Sequence, residues 1–274
     1  MYTLGLGGKL MKNKDQVVSW SKQSNIATII IDNPPVNVLS ADVIEQLNLV
    51  VDEIESDYNI KVIILTGEGE RAFVAGGDIK EFPEWIGKGV EEGKGKSLWL
   101  QEPLNKNERL SRPTIAAING LALGGGCELA LSCDIRIAEE HIRIGLPEIK
   151  LGLFPGAGGT QRLPRLIGKA KAKEMIFTGE PLNAEDAKQI GLVNHVVPKG
   201  ESLEKAKEMA KCICNYSLQS LTFAKHSIDF GYEQTLEDGL LVEAENFGHV
   251  FQTKDVKEGV EAFINKRDPN FIDQ

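Results

Sequence analysis

The sequence predicts an α/β protein with a strand-rich N-terminal core and a helical C-terminal region. Three observations carry that prediction. The β-branched run NIATIII, Asn25 to Ile31, precedes a helix-like segment and a second apolar run, Val62 to Leu65. Thr114 to Ile118 is followed by the turn Asn119-Gly120, a short apolar stretch over Leu121 to Leu123, and three glycines that open an apolar helix. From Leu203 onward the apolar spacing is predominantly helical. Strand, helix and strand in succession point to parallel βαβ units.

Each element has its own signal. Asp32-Asn33-Pro34-Pro35 stops the first strand, because proline cannot continue a central ladder. Ser40 fits the N-cap of a helix that puts Val43, Leu47, Val50, Val51 and Ile54 on one face. Ile86 to Ser97, IGKGVEEGKGKS, is charged and has glycines at 87, 89, 93 and 95, which predicts a mobile surface loop. Cys127 to Ser132 reads as a helix and Asp134 to Ala138 as a strand, with short helices over Ala170 to Phe177 and Ala184 to Gln189. Leu240 to Val250 and Val256 to Ile264 read as amphipathic helices, and Arg267-Asp268-Pro269-Asn270 breaks the last. No repeat and no Pro/Gly/Ser-rich linker divides the chain.

Composition sets the outer limits. The 274 residues are 42% hydrophobic and 26% charged, ordinary for a globular chain able to bury one substantial core. Net charge is −9, which argues against a broad nucleic-acid surface but allows a local basic pocket. Cys127, Cys133, Cys212 and Cys214 form no CxxC pair, so reduced and mostly buried thiols are expected. The four histidines lack metal-binding spacing, and no metal site is expected. Neither a signal peptide nor a membrane-length apolar run is evident, so the expected location is cytoplasmic.

Several motifs could carry chemistry. Gly67-Glu68-Gly69-Glu70-Arg71-Ala72 fits GxGxxA, yet the helix a dinucleotide site needs does not follow, so it reads as a loop between strands. Two other clusters, Ala75-Gly76-Gly77-Asp78 and Gly124-Gly125-Gly126, each follow a predicted strand. Glycines let backbone amides approach a ligand, and two amides from separate loops can form an oxyanion hole, though either cluster alone is more often a tight turn. Glu128 sits in the first turn of an apolar helix, where the dipole alone could explain an acid. Glu148 lies in Gly145-Leu146-Pro147-Glu148-Ile149, where a solvated loop acid is the plain alternative. Pro155 to Arg162, PGAGGTQR, lacks the Gly-Lys-Ser/Thr ending of a phosphate loop, and Cys127 has no evident histidine partner.

Taken together, NGLALGGGCELALSCDIRIA (Asn119 to Ala138) and LPEIKLGLFPGAGGTQRLPRLIG (Leu146 to Gly168) resemble the crotonase superfamily, most closely its enoyl-CoA hydratases. The likeness extends to AFVAGGDIKEF (Ala72 to Phe82), FTGEPLNAEDAKQIGLVNHVVP (Phe177 to Pro198) and EGVEAFINKRDPNF (Glu258 to Phe271), leaving out the first ~20 residues and the 86–97 segment. The resemblance implies an α/β spiral of ββα units over residues 21–200, a helical trimerisation region over 201–274, and a loose N-terminal extension over 1–20. It also implies a homotrimer or homohexamer.

By the same resemblance, the amides of Gly77 and Gly125 form the oxyanion hole and Glu128 and Glu148 are the catalytic acids. Ala75, Asp78, Ile79 and Lys80 bracket the CoA moiety, Gly156 lies near the acid–water network, and Phe263 and Lys266 reach the CoA of a neighbouring subunit. The implied reaction is reversible hydration of trans-2-enoyl-CoA to 3-hydroxyacyl-CoA in fatty-acid or related acyl-CoA degradation. It needs no cofactor, coenzyme A being part of the substrate. An enoyl-CoA isomerase or sibling lyase is the alternative, although siblings often keep only one of the two acids. A non-catalytic acyl-CoA- or RNA-binding protein on the same fold is a third reading, opposed by the acidic charge.

Overall fold

The computed structural model describes residues 16–273 of the chain. Two strands, β1 (Val18–Gln23) and β2 (Ile26–Ile31), pair antiparallel and lead into helix α1 (Ala41–Ser56). Ser40 caps α1 through a side-chain bond from the Val43 amide, as its sequence position predicts. The chain then alternates between two sheets. Strand β3 (Val62–Gly67) joins the first and β4 (Ala72–Ala75) the second, and a 3-10 turn (Ile79–Glu84) leads to α2 (Val90–Arg109). The cycle repeats with β5 (Thr114–Ile118), β6 (Leu121–Leu123) and α3 (Gly125–Leu131). It repeats again with β7 (Ile135–Glu139), β8 (Arg143–Gly145) and a 3-10 turn (Glu148–Leu151) before α4 (Gly159–Ile167) and α5 (Lys169–Thr178). Strand β9 (Leu182–Asn183), helix α6 (Ala184–Gln189) and strand β10 (His195–Val197) finish the sheets.

The six-stranded sheet has the order β1-β2-β3-β5-β7-β10 and the four-stranded sheet β4-β6-β8-β9. Each turn of the spiral therefore gives one parallel strand to each sheet, which is the ββα repeat. The Gly67–Ala72 segment is the short connection between the sheets, with Gly69 at a φ of 81°. A Cβ at Gly67 would lie 2.3 Å from the Phe73 carbonyl oxygen, so this glycine serves close packing and not a cofactor.

Strand β3 is buried along its whole length because both faces are covered. Its alternation sends Ile63 and Leu65 into one apolar cluster with Ile29, Ile31, Leu47 and Ile118. Val62 and Ile64 enter a second cluster with Ile115, Ala117 and Ile137. Helix α7 (Ser202–Cys214) closes that second face through Ala206 and Ala210, so the helical C-terminal region starts inside the core. Helices α8 (Leu218–Tyr232), α9 (Leu236–Val250) and α10 (Lys254–Ile264) follow, and α8 and α9 approach closely where Gly231 meets Gly239. The final residues return to the core: Asp273 pairs with buried Lys61 at 2.8 Å, and Lys61 also donates to the Tyr216 carbonyl at 3.2 Å.

Two expectations need correction. Residues 90–97 are not a mobile loop but the first turns of helix α2, which runs unbroken to Arg109. Each glycine there costs ~1 kcal/mol against alanine, and tertiary anchoring outweighs it. Leu104 is fully buried, Ser97 and Gln101 bond the Gly156 carbonyl, and Glu91 and Glu92 favour the helix N-terminus. The loose extension expected over 1–20 ends earlier, because Val18 already pairs with Ile31 in β1. Residues 1–15 lie outside the described residues.

Candidate active site

The site is assembled where the spiral's glycines let backbone segments touch. Strand β6 ends at Leu123, Gly124 turns the chain at a φ of 55°, and its amide still donates to the Gly145 carbonyl at 2.9 Å. Helix α3 then starts so close to β4 that a Cβ on Gly126 would fall 1.8 Å from the Val74 carbonyl oxygen. Only glycine fits there. Gly126→Ala is expected to force α3 off β4 and cost ~1–3 kcal/mol, read as a drop in thermal unfolding temperature.

The same close approach puts Gly77 beside Gly125. A Cβ on Gly125 would lie 3.7 Å from the Gly77 nitrogen and 2.9 Å from Leu39 Cδ1. Leu39 bridges to this segment in the parallel sense, its amide donating to the Gly76 carbonyl at 2.8 Å and its carbonyl accepting from Asp78 at 3.1 Å. That pattern uses the groups flanking Gly77 and turns the Gly77 amide away from Leu39. The Gly125 amide is the first of α3 and has no intrahelical acceptor. By contrast with Gly126, a Cβ on Gly77 would make ordinary contact with the Phe82 ring at 3.5 Å. Gly77→Ala should therefore leave folding and the direction of the Gly77 amide nearly unchanged, checked by unfolding temperature and turnover side by side.

Glu128 is buried in the first turn of α3. Its Oε1 accepts two backbone hydrogen bonds of 2.8 Å, from Ala157 and from Gly159. Burial pushes this carboxyl above the ordinary carboxylate range, opposed by those two amides and by the Arg162 guanidinium. Glu148 opens the 3-10 turn after β8, and a Cβ on Gly124 would come within 3.1 Å of its Oε1. Its Oε2 is buried without a hydrogen-bond partner. Burial raises the Glu148 carboxyl to about 7, and the nearby Glu128 adds to the shift. The structure thus brings together Gly77, Gly125, Glu128 and Glu148 from three separate stretches of sequence, Gly125 and Glu128 both lying in α3.

The glycine-rich PGAGGTQR stretch holds an anion after all, and the anion is internal. Gly158 has a φ of 110° and α4 starts at Gly159, so the Ala157 and Gly159 amides surround the Glu128 carboxyl oxygen. Gly156 sits in this loop with its carbonyl held by Ser97 Oγ at 2.7 Å and Gln101 Nε2 at 3.0 Å. Sequence reasoning did not single out Ser97, Gln101, Ala157, Gly159 or Arg162. The signal available was the glycine-rich helix start itself, once the search for an anion includes the chain's own carboxylates.

The remaining candidates divide by location. Ala75 ends β4, and Asp78 caps the following 3-10 turn by accepting from the Lys80 amide at 3.0 Å, with Ile79 exposed between them. Phe263 is 86% exposed near the end of α10, and Lys266 follows at a φ of 52°. No hydrogen bond or ring contact among the described residues joins Phe263 or Lys266 to the glutamates. Ala41, Glu45, Glu81, Trp85, Lys96 and Trp99 line a cleft of about 610 Å³ between α1, the first 3-10 turn and α2, and neither glutamate lines it. Cys127 is fully buried, and desolvation pushes its thiol up and keeps it neutral.

Residues 21–274 match the family model described as enoyl-CoA hydratase/isomerase. A short-chain-enoyl-CoA hydratase of Clostridium acetobutylicum is 42% identical over 90% of this chain and 94% of that protein. A crotonyl-CoA hydratase of Syntrophomonas wolfei is 38% identical over 92% of this chain and 96% of its own length. The crystal structure of an enoyl-CoA hydratase from Bacillus anthracis superposes with a TM-score of 0.89 at 41% identity, covering 94% of this chain and all of that one. With the fold and nearly the full length in common, this chain belongs to the enoyl-CoA hydratase/isomerase family, within the crotonase superfamily.

Proposed function

We propose that the protein is an enoyl-CoA hydratase that adds water reversibly to a trans-2-enoyl-CoA to give the 3-hydroxyacyl-CoA. The single observation that carries this reading is the pairing of Glu128, held through one oxygen by two amides, with Glu148, a carboxyl raised to about 7, beside two adjacent glycines. The names of the relatives support it.

In the proposed reaction the thioester carbonyl oxygen lies against the Gly77 and Gly125 amides. Glu128 takes a proton from water as the water oxygen bonds to the β-carbon, and electrons of the double bond move toward the carbonyl. The two amides stabilise the resulting enolate oxygen, each such donor being worth ~3–4 kcal/mol. Glu148 then gives its proton to the α-carbon. Proton exchange through water resets the two acids, and dehydration runs the same steps backward. The differing environments fit this division: one carboxylate oriented as an acceptor, the other kept as a proton donor near neutral pH.

Ala75, Asp78, Ile79 and Lys80 are the residues we assign to the CoA moiety, with Gly156 next to the water. The reading requires no cofactor beyond the CoA carried by the substrate. Among the described residues no helix is long and apolar enough to cross a membrane. We place the enzyme in the cytoplasm, with free cysteines throughout. Exposed apolar residues on α8 to α10, among them Phe230, Leu240, Phe247 and Phe263, support a homotrimer or homohexamer in which Phe263 and Lys266 reach a neighbour's CoA.

Loss of enoyl-thioester absorbance on mixing the protein with crotonyl-CoA, with formation of 3-hydroxybutyryl-CoA, is the expected result. Double-bond migration without water addition would replace this reading with an isomerase, and no conversion of crotonyl-CoA or longer enoyl-CoAs would end it.

A further inference from the structure

We infer that Arg162 is a positioning residue for Glu128, acting as the clamp that holds the Ala157 and Gly159 amides on its carboxyl oxygen. This rests on the hydratase reading for its kinetic readout and on geometry for the rest.

The clamp is built from both ends. On the loop side, Arg162 Nη1 donates to the Ala157 carbonyl at 3.1 Å, fixing the same residue whose amide bonds Glu128. A Cβ on Gly158 would fall 2.0 Å from Arg162 Nη1, so the guanidinium occupies the space under this left-handed glycine. On the helix side, Arg162 grips α2 with a fork: Nε to Glu108 Oε1 at 3.0 Å and Nη2 to Glu108 Oε2 at 2.7 Å, with Nη2 also bonding Asn105 Oδ1 at 2.7 Å. The side chain is 11% exposed, and its planar fork leaves it little freedom.

Helix α2 uses one face for this purpose. Ser97, Gln101, Asn105 and Glu108 recur at helical spacing, the first two on the Gly156 carbonyl and the last two on Arg162. Five consecutive residues, Pro155 to Gly159, are thereby suspended between α2 and α4, and Glu128 receives its two amides from that suspended segment. Lysine could not reproduce the fork.

The charged and titratable groups that face Glu128 are few. Arg162 favours its ionised form from α4, Glu148 approaches from the 3-10 turn after β8, and the Cys127 thiol on α3 stays neutral. Arg136 on β7 acts on Cys127. Removing Arg162 therefore removes a cation and loosens two donors, and both changes move Glu128 toward its protonated form. A base that must be ionised then works only at higher pH.

The test compares wild type with Arg162→Met and with Glu108→Gln, which keeps Arg162 but weakens its anchor. With crotonyl-CoA, Arg162→Met is expected to lower kcat up to ~100-fold while KM changes far less, and to move the acid limb of the kcat profile to higher pH. Glu108→Gln should shift both in the same direction by less, and it serves alone if Arg162→Met does not fold by circular dichroism. Without substrate, the Glu128 carboxyl is titrated by carbon-13 NMR in glutamate-labelled protein, and its midpoint should rise in both variants. An unchanged Glu128 midpoint overturns the inference, as does a loss of kcat equal at every pH. If the wild type does not hydrate crotonyl-CoA, the hydratase reading fails separately, and the NMR titration still decides the role of Arg162.

Discussion

Replacing Glu148 with glutamine is expected to lower turnover of crotonyl-CoA by ~100-fold or more while making the protein more resistant to unfolding above neutral pH. The first effect follows from its assigned part: glutamine has no proton to give to the α-carbon. In the wild type, kcat/KM for hydration should fall as pH rises through about 7, where Glu148 ionises, and that limb should vanish in the variant. The second effect follows from linkage. The folded carboxyl titrates at about 7, above the value of 4.5 for an ordinary glutamate, so the folded state binds the proton more tightly. Stability is then greatest below the ordinary value, declines as pH rises through the interval, and stays reduced above it. An amide is neutral throughout, so Glu148→Gln should unfold at a higher temperature than wild type at pH 8 and at a similar one at pH 4. Equal unfolding temperatures at both values would show that Glu148 carries no such strain.

Glu128→Gln should cut turnover by a comparable ~100-fold or more with little change in fold. Its amide oxygen can still accept the Ala157 and Gly159 bonds, which preserves the suspended loop, but the group can no longer take a proton from water. Turnover near the wild-type rate would remove Glu128 from the mechanism. Unfolding at a markedly lower temperature would instead assign it a mainly structural role. The two glutamine variants are expected to differ most at alkaline pH, because Glu148 Oε2 is buried without a hydrogen-bond partner whereas the Glu128 carboxyl accepts two backbone amides.

Much of this architecture is local and therefore readable. Thr114–Ile118 and Leu121–Leu123 have the bounds their side chains predict, since a β-branched run and an Asn-Gly turn act over a few residues. The resemblance added the spiral and the four residues at its centre. What stayed hidden depends on partners distant in sequence. Helix α2 looked like a loop because Gly93 and Gly95 have poor intrinsic helicity, and its stabilising contacts reach Gly156 and Arg162. The loop at Pro155 to Gly159 lacks the ending of a phosphate loop, and its amides bond a carboxyl of the chain itself. Its true anion, Glu128, lies 29 residues from Ala157 and could be paired with it only in three dimensions. The GxGxxA run shows the reverse case, where a familiar pattern is explained by nothing more than the crowding of Gly67 against Phe73.

The pairing of Lys61 with Asp273 ties a central strand to a segment far along the chain. Lys61 sits at the entrance of a central strand, 7% exposed, and its counter-ion is supplied by the segment that follows helix α10. Without that segment docked, the strand would carry an ammonium lacking its counter-ion at the edge of the interior. The entrance of this strand is thus held by a segment distant in sequence, and Asp273→Asn should hold the strand less firmly than the wild type does, read as a lower unfolding temperature.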